Sequence, residues 1–260
     1  MKIYQIDAFT DRVFSGNPAA VCPLDHWLDD AQLQRIAAEN NQPATAFYVK
    51  RGEGYDIRWF TPAIEANLCG HATLAAAHVL FHHEHHSDDT IRFYTRFSGE
   101  LSVSRSERGI ALNFPADRPN EMAWSDELQA CFDQAPEAVY KGKTDYLLIF
   151  ANEQQIRNIR PDLEKIAGLD ARGVIVSAKG TDTDFVSRFF APRSGVLEDP
   201  VTGSAHTTLV PYWATVLGRN ELCAAQLSAR GGRIIGRYAG NRVELIGQAR
   251  LYFIGEINTL

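Results

Sequence analysis

The chain repeats itself, and that repeat constrains its fold more than any other feature. Arg58-Trp59-Phe60-Thr61-Pro62 returns as Arg188-Phe189-Phe190-Ala191-Pro192, 130 residues on. A glycine opening an apolar stretch follows in both copies, at Gly70 and Gly203, 133 residues apart. The same 133-residue offset relates Ser98-Gly99-Glu100-Leu101 to Gly231-Gly232-Arg233-Ile234, and Ile110 and Leu112 to Val243 and Leu245. Landmarks in one order at one spacing indicate duplication. Each half must therefore be able to build the same unit.

The local patterns say what that unit contains. Tyr4 to Phe9, Ala44 to Val49, Tyr55 to Phe60, Glu100 to Val103 and Ile110 to Phe114 alternate apolar with polar residues and read as strands. Asp29 precedes Leu33, Ile36 and Ala37 at helical spacing, and Asn40-Asn41-Gln42-Pro43 ends that pattern, giving one short surface helix. From Gly70 the run HATLAAAHVLF is apolar on nearly every side, which predicts a central helix. The tract His82-His83-Glu84-His85-His86, followed by Ser87-Asp88-Asp89, reads as the solvated end of that helix and is assigned no metal. Pro211 is expected to kink the second central helix or to end its first segment, because it lacks an N–H and crowds the preceding turn. After Phe114 the segment PADRPN, with two prolines and alternating charge, places a boundary near Asp117. The expected organisation is α+β, an N-terminal lobe over 1–117 and a C-terminal lobe over 118–260, each made of several antiparallel strands around one apolar helix. Leu251 to Ile257 lies outside the repeat and is free to pair with the first lobe.

An apolar fraction of 45% over 260 residues supports a real core and excludes disorder. A formal net charge of −6 and a sequence pI near 5.8 remove the usual electrostatic attraction to nucleic acid or anionic membranes. No stretch approaches 18 uninterrupted apolar residues, and Asp7 interrupts the start before a signal-peptide core develops. Cys22, Cys69, Cys131 and Cys223 are widely spaced with no CxxC pair, against a zinc site or disulfide framework. These features fit a cytoplasmic protein with reduced thiols. An acidic ligand must then be held by local geometry. Two halves facing each other would bring both helix N-termini to a shared cleft, where unpaired N–H groups and the positive dipole end favour an anion.

Two loops carry the candidate chemistry. The first reads Phe60-Thr61-Pro62-Ala63-Ile64-Glu65-Ala66-Asn67-Leu68-Cys69-Gly70-His71-Ala72-Thr73, and the second Glu198-Asp199-Pro200-Val201-Thr202-Gly203-Ser204-Ala205-His206-Thr207. Each places Gly where backbone must approach a ligand and follows it with a side chain able to bond an anion or move a proton. On local chemistry alone, His71 also serves as a capping histidine, Asp199 as a turn initiator before Pro200, Ser204 as an N-cap and Cys69 as a small packing residue.

Both loops, with Asp7-Ala8-Phe9-Thr10 and Phe14-Ser15-Gly16-Asn17-Pro18, resemble the phenazine-biosynthesis PhzF-like family over essentially the whole chain. The resemblance implies the diaminopimelate epimerase and proline racemase fold: two lobes related by pseudo-twofold symmetry, each a curved, mostly antiparallel sheet or barrel around a central helix. It also implies metal-free and cofactor-free proton chemistry on a small carboxylate-bearing metabolite, in a homodimer. Carried over residue by residue, it assigns Gly70, Gly203 and Ser204 to substrate binding and His71 and Asp199 to catalysis. Racemase relatives need a cysteine in each loop; here Cys69 occupies the first position and Thr202 the second, which disfavours two-thiol racemisation. The PhzF-like motif has Glu before Thr-x-Phe, whereas this chain reads Pro43-Ala44-Thr45-Ala46-Phe47. Ala44 thus stands at the catalytic glutamate position with no proton to give, so a binding protein that has lost the shuttle competes with an active isomerase.

Overall fold

Strand patterns in the first half close around the apolar helix they flank. The computed structural model describes residues 1–258 and divides into two compact units, one formed by Met1–Asn113 with the segment from Ile246 onward, the other by Phe114–Leu245. Thr259 and Leu260, the last residues assigned to the second lobe, lie outside the described residues.

The first unit contains β1 (Lys2–Ala8), β2 (Asn17–Leu24), α1 (Asp30–Asn40), β3 (Thr45–Arg51), β4 (Gly54–Phe60), β5 (Glu65–Ala66), α2 (Gly70–His82), β6 (Thr90–Thr95), β7 (Glu100–Ser106) and most of β8 (Gly109–Pro115). β1–β2 and β3–β4 pair antiparallel, β2–β3 and β4–β6 parallel, and β6–β7–β8 antiparallel. Ten of the thirteen residues of α2 are buried. That helix packs against β1, β2 and β3, its alanines allowing close approach of the strands. On the opposite face Leu33 and Ala37 of α1 pack on Ile3, Ala20, Cys22, Phe47 and Phe60. With both faces covered, β2 is buried along six consecutive residues instead of alternating. Asp29 caps α1 by accepting from Gln32 N–H at 2.7 Å, and Asn41 ends it in the left-handed region at φ 48°.

The second unit continues with β9 (Asn120–Met122), α3 (Asp126–Gln129), β10 (Ala138–Lys141), β11 (Asp145–Ile149), α4 (Glu153–Asn158), α5 (Leu163–Gly168), β12 (Gly173–Lys179), β13 (Phe185–Phe190), α6 (Gly203–Leu217), β14 (Glu221–Gln226), β15 (Gly232–Ala239) and the larger part of β16 (Arg242–Gly247). β10–β11 and β12–β13 pair antiparallel, β11–β12 and β13–β14 parallel, and β14–β15 antiparallel. From β10 to β15 this is the first unit's sequence of pairings over again. α4 and α5 take the place of α1, with Ile156 and Ile166 in the core they cover.

The remaining strand, β17 (Ala249–Glu256), runs antiparallel to β1 from Lys2↔Glu256 to Ala8↔Ala249, with a bulge between Gln5 and Ile6. A Cβ at Gly247 would meet the Phe9 ring at 2.3 Å and Leu74 of α2 at 3.1 Å, so only glycine lets the chain enter β17 this close to the core.

Two expectations need correction. α6 does not end at Pro211 but continues to Leu217. Proline removes the donor for the carbonyl of Thr207, and Asp117 N–H supplies one instead at 3.0 Å. The histidine tract is not wholly solvated either. His86 is buried, with Nδ1 3.4 Å from the Tyr55 hydroxyl and Nε2 3.3 Å from the Thr90 carbonyl, drawn in as the chain turns back to lay β6 beside β4.

Candidate active site

The loop before each central helix is held by the same device. In the first unit Arg58 grips Glu65 with two hydrogen bonds of 2.7 and 2.8 Å, its guanidinium over the Phe60 ring. In the second, Arg188 grips Glu198 at 2.7 and 2.9 Å over the Phe190 ring. Arg188 also donates to the carbonyls of Ile156 and Ile159. Fork-shaped pairs of this kind fix direction as well as distance, so both loops are delivered to the helix start rigidly.

Both helices begin without a side-chain cap. Cys69 and Thr202 occupy the N-cap positions in extended conformation and neither side chain bonds the helix's first N–H groups. Instead the fourth residue of each helix bonds back to the N-cap carbonyl: Thr73 Oγ1 to Cys69 O at 2.6 Å, His206 Nδ1 to Thr202 O at 2.8 Å. Thr202, not Ser204, is therefore the N-cap of α6, and its hydroxyl is committed to Asp199 Oδ2 at 2.7 Å. A Thr so placed orients a carboxylate; it does not move protons.

At the start of α2, His71 is buried, and burial pushes its pKa down to about 4. Its Nδ1 lies 3.3 Å from Asn17 Nδ2 and 3.5 Å from Cys69 Sγ. An amide nitrogen can only donate, so Nδ1 accepts and the ring proton sits on Nε2. His71 is thus a neutral imidazole at pH 7 that offers an N–H.

At the start of α6, Asp199 N–H donates to Phe189 O at 3.0 Å. The buried Gln226 clamps the loop, donating to Asp199 O at 2.7 Å and to Thr202 Oγ1 at 3.1 Å while accepting from Thr202 N–H at 2.8 Å. Ser204, one residue past Gly203, accepts from Arg172 Nη1 at 2.9 Å. His206 is fully buried; its Nδ1–H is spent on Thr202 O, its Nε2 has no partner among the described residues, and burial lowers its pKa to about 4.

Gly70 and His71 are thus assembled with Cys69 and Asn17 in one unit, and Gly203 and Ser204 with Asp199 in the other. Ala44 is buried immediately before β3, its carbonyl accepting Ala20 N–H at 3.0 Å. Its counterpart is Arg172: β3 runs parallel to β2 from Ala20↔Thr45, β12 runs parallel to β11 from Asp145↔Gly173, and Ala44 and Arg172 are the residues just before. Arg172, Asp145, Gln226 and Asn17 escaped the sequence reading. Extending the repeat back to β3 and β12 would have exposed Arg172, and Asn17 sat unweighed in the Phe14–Pro18 motif. Among the described residues no group of three or more His, Cys, Asp or Glu side chains forms a metal site, and no helix is long and apolar enough to cross a membrane.

The profile of the phenazine biosynthesis-like protein family matches residues 6–255. An uncharacterized isomerase of Pseudomonas aeruginosa is 50% identical over 258 residues, covering 99% of each chain. The crystal structure of a PhzF-family protein from Enterococcus faecalis shares 42% identity and superposes with a TM-score of 0.96 over 99% of each chain. A hydroxyproline epimerase from Agrobacterium vitis shares the mixed α+β fold at 9% identity, with a TM-score of 0.62 over 98% of this chain and 91% of that one.

Proposed function

The chain belongs to the phenazine biosynthesis-like family, and from that premise we propose that it is a cofactor-independent isomerase that shifts a proton on a small carboxylate-bearing metabolite. The observation that carries this reading is the matched construction of α2 and α6, each entered without a side-chain cap and each presenting a hydrogen-bonding side chain, His71 or Ser204, at its second residue. Uncapped N-termini favour carboxylate binding. Asp199 serves as the base that takes a proton from carbon next to a carbonyl group or double bond and returns it to another carbon, so no atom is gained or lost. His71, neutral and donating from Nε2, stabilises the charge that develops on oxygen between the two steps. Close relatives named as isomerases support the reaction class. The family's homodimeric state and a cytoplasmic location go with this reading.

One observation favours a second reading, a binding protein of the same fold: position 44 has only a methyl group. Incubation with cyclic and unsaturated carboxylic acids in D2O, followed by proton NMR, separates the two. The isomerase reading expects deuterium incorporation that Asp199→Asn lowers about 10²–10⁴-fold. Acids that bind yet exchange no proton would establish the binding protein instead.

A further inference from the structure

Arg172 is rooted on one side and open on the other. Its Nε donates to Asp145 Oδ1 at 2.9 Å, Nη2 donates to Asp145 Oδ2, and the guanidinium plane lies over the Phe189 ring, 5.1 Å from the centroid. The Asp145 side chain is 3% exposed and that of Arg172 36%, so the pair is anchored in the unit while one edge of the guanidinium reaches outward. That edge donates Nη1–H to Ser204 Oγ at 2.9 Å. A guanidinium has donors and no acceptor, so Ser204 Oγ must be the acceptor and its single proton must point elsewhere. Among the described residues no acceptor takes it, and the neighbouring Thr207 hydroxyl donates to the Ser204 carbonyl instead.

We propose that Arg172 is a positioning residue that turns the Ser204 O–H outward as a donor to one oxygen of the substrate carboxylate, making the start of α6 rather than that of α2 the carboxylate dock. The inference rests on the carboxylate reading above and deepens it. Donation from a charged group polarises the serine hydroxyl and strengthens the bond it makes in turn. Ser204 is fixed before the ligand arrives, so little rotamer entropy is lost on binding. The first unit has no equivalent: its corresponding residue is Ala44, whose side chain bears no donor.

The test is an NMR titration of the full chain with benzoate, and with benzamide as the uncharged control. Benzoate should shift the amides of Gly203 and Ser204, and Arg172→Gln should weaken it about tenfold while leaving benzamide unchanged. In a Ser204→Ala background the same change should add less than about a twofold loss, because its route to the ligand is gone. Arg172→Gln leaves Asp145 buried without its partner, so Asp145→Asn with Arg172→Gln is measured beside it and should show the same tenfold loss in a chain whose melting is checked. Benzoate shifts confined to Gly70 and His71, or losses that multiply in the double variant, overturn this inference and leave the carboxylate reading standing. No benzoate shift at either helix start overturns both.

Discussion

The two units share a scaffold and differ in what it displays. Both have the Arg–Glu clip, the parallel strand pair before the central helix, the uncapped helix start and the bond from the helix's fourth residue to the N-cap carbonyl. Around the helix starts the first unit has Ala44, Cys69, His71 and Thr73, where the second has Arg172, Thr202, Ser204 and His206. The parts the two units share are thus those whose loss would cost folding energy, and the parts that differ lie around the helix starts. A clip has one workable geometry; a side chain aimed outward has many uses.

The sharpest way to break this contrast is to give the first unit a charged side chain where its counterpart already has one. Ala44→Glu should raise deuterium exchange into bound acids by about 10²–10⁴-fold, the value of a positioned acid/base, with burial moving the new carboxyl's pKa upward toward neutrality. Exchange unchanged in a folded variant that still binds would mean that position 44 does not serve the proton. The clips come next. Arg188→Met leaves a largely shielded Glu198 without its partner and takes the donor from the carbonyls of Ile156 and Ile159, and should cost about 3 kcal/mol; Arg58→Met should cost less, because Arg96 Nη1 still reaches Glu65 Oε2 at 3.2 Å. Urea unfolding of both variants decides the order.

The pH dependence is expected from both units. His71 and His206 ionise near 6.5 when unfolded and near 4 when folded. The unfolded chain therefore takes up protons that the native one refuses. The stability their neutral forms contribute is complete above about pH 6.5 and is lost as pH falls toward 4, on the order of 3 kcal/mol each. Replacing one histidine with Gln should remove about one proton's worth of that slope, read from unfolding free energies between pH 4 and 7. The smallest effect belongs to Ser204→Ala, which should weaken carboxylate binding by about 1.5 kcal/mol, no less than Arg172→Gln does, and leave the melting temperature in place.

Landmarks that report a local need were legible in the chain. Asp29 had to cap, the alanine-rich run after Gly70 had to be enclosed, and the repeated Arg and Pro around Phe60 and Phe190 marked one loop twice. Partnerships across long stretches of chain were not. Arg172 meets Ser204 across 32 residues and Gln226 meets Thr202 across 24, and neither Arg nor Gln has a local pattern that announces such a bond. Pro211 misled for the same reason: the rule that proline ends a helix assumes its freed carbonyl stays unpaired, and the donor that rescues it comes from Asp117. Ala44 was conspicuous only as a missing carboxylate; its place beside β3 became informative once Arg172 was seen at the matching place beside β12.

The pairing of β1 with β17 sets an order on the birth of the molecule. A ribosome delivers the first 113 residues early, yet the unit they form lacks a strand until residues 249–256 have emerged. The second unit is contiguous and has no such wait. The part made first is therefore finished last, and during synthesis one edge of β1 stays open while an entire second unit is made behind it. A message cut between the codons for residues 245 and 249 would release a chain whose later half is complete and whose earlier half is not.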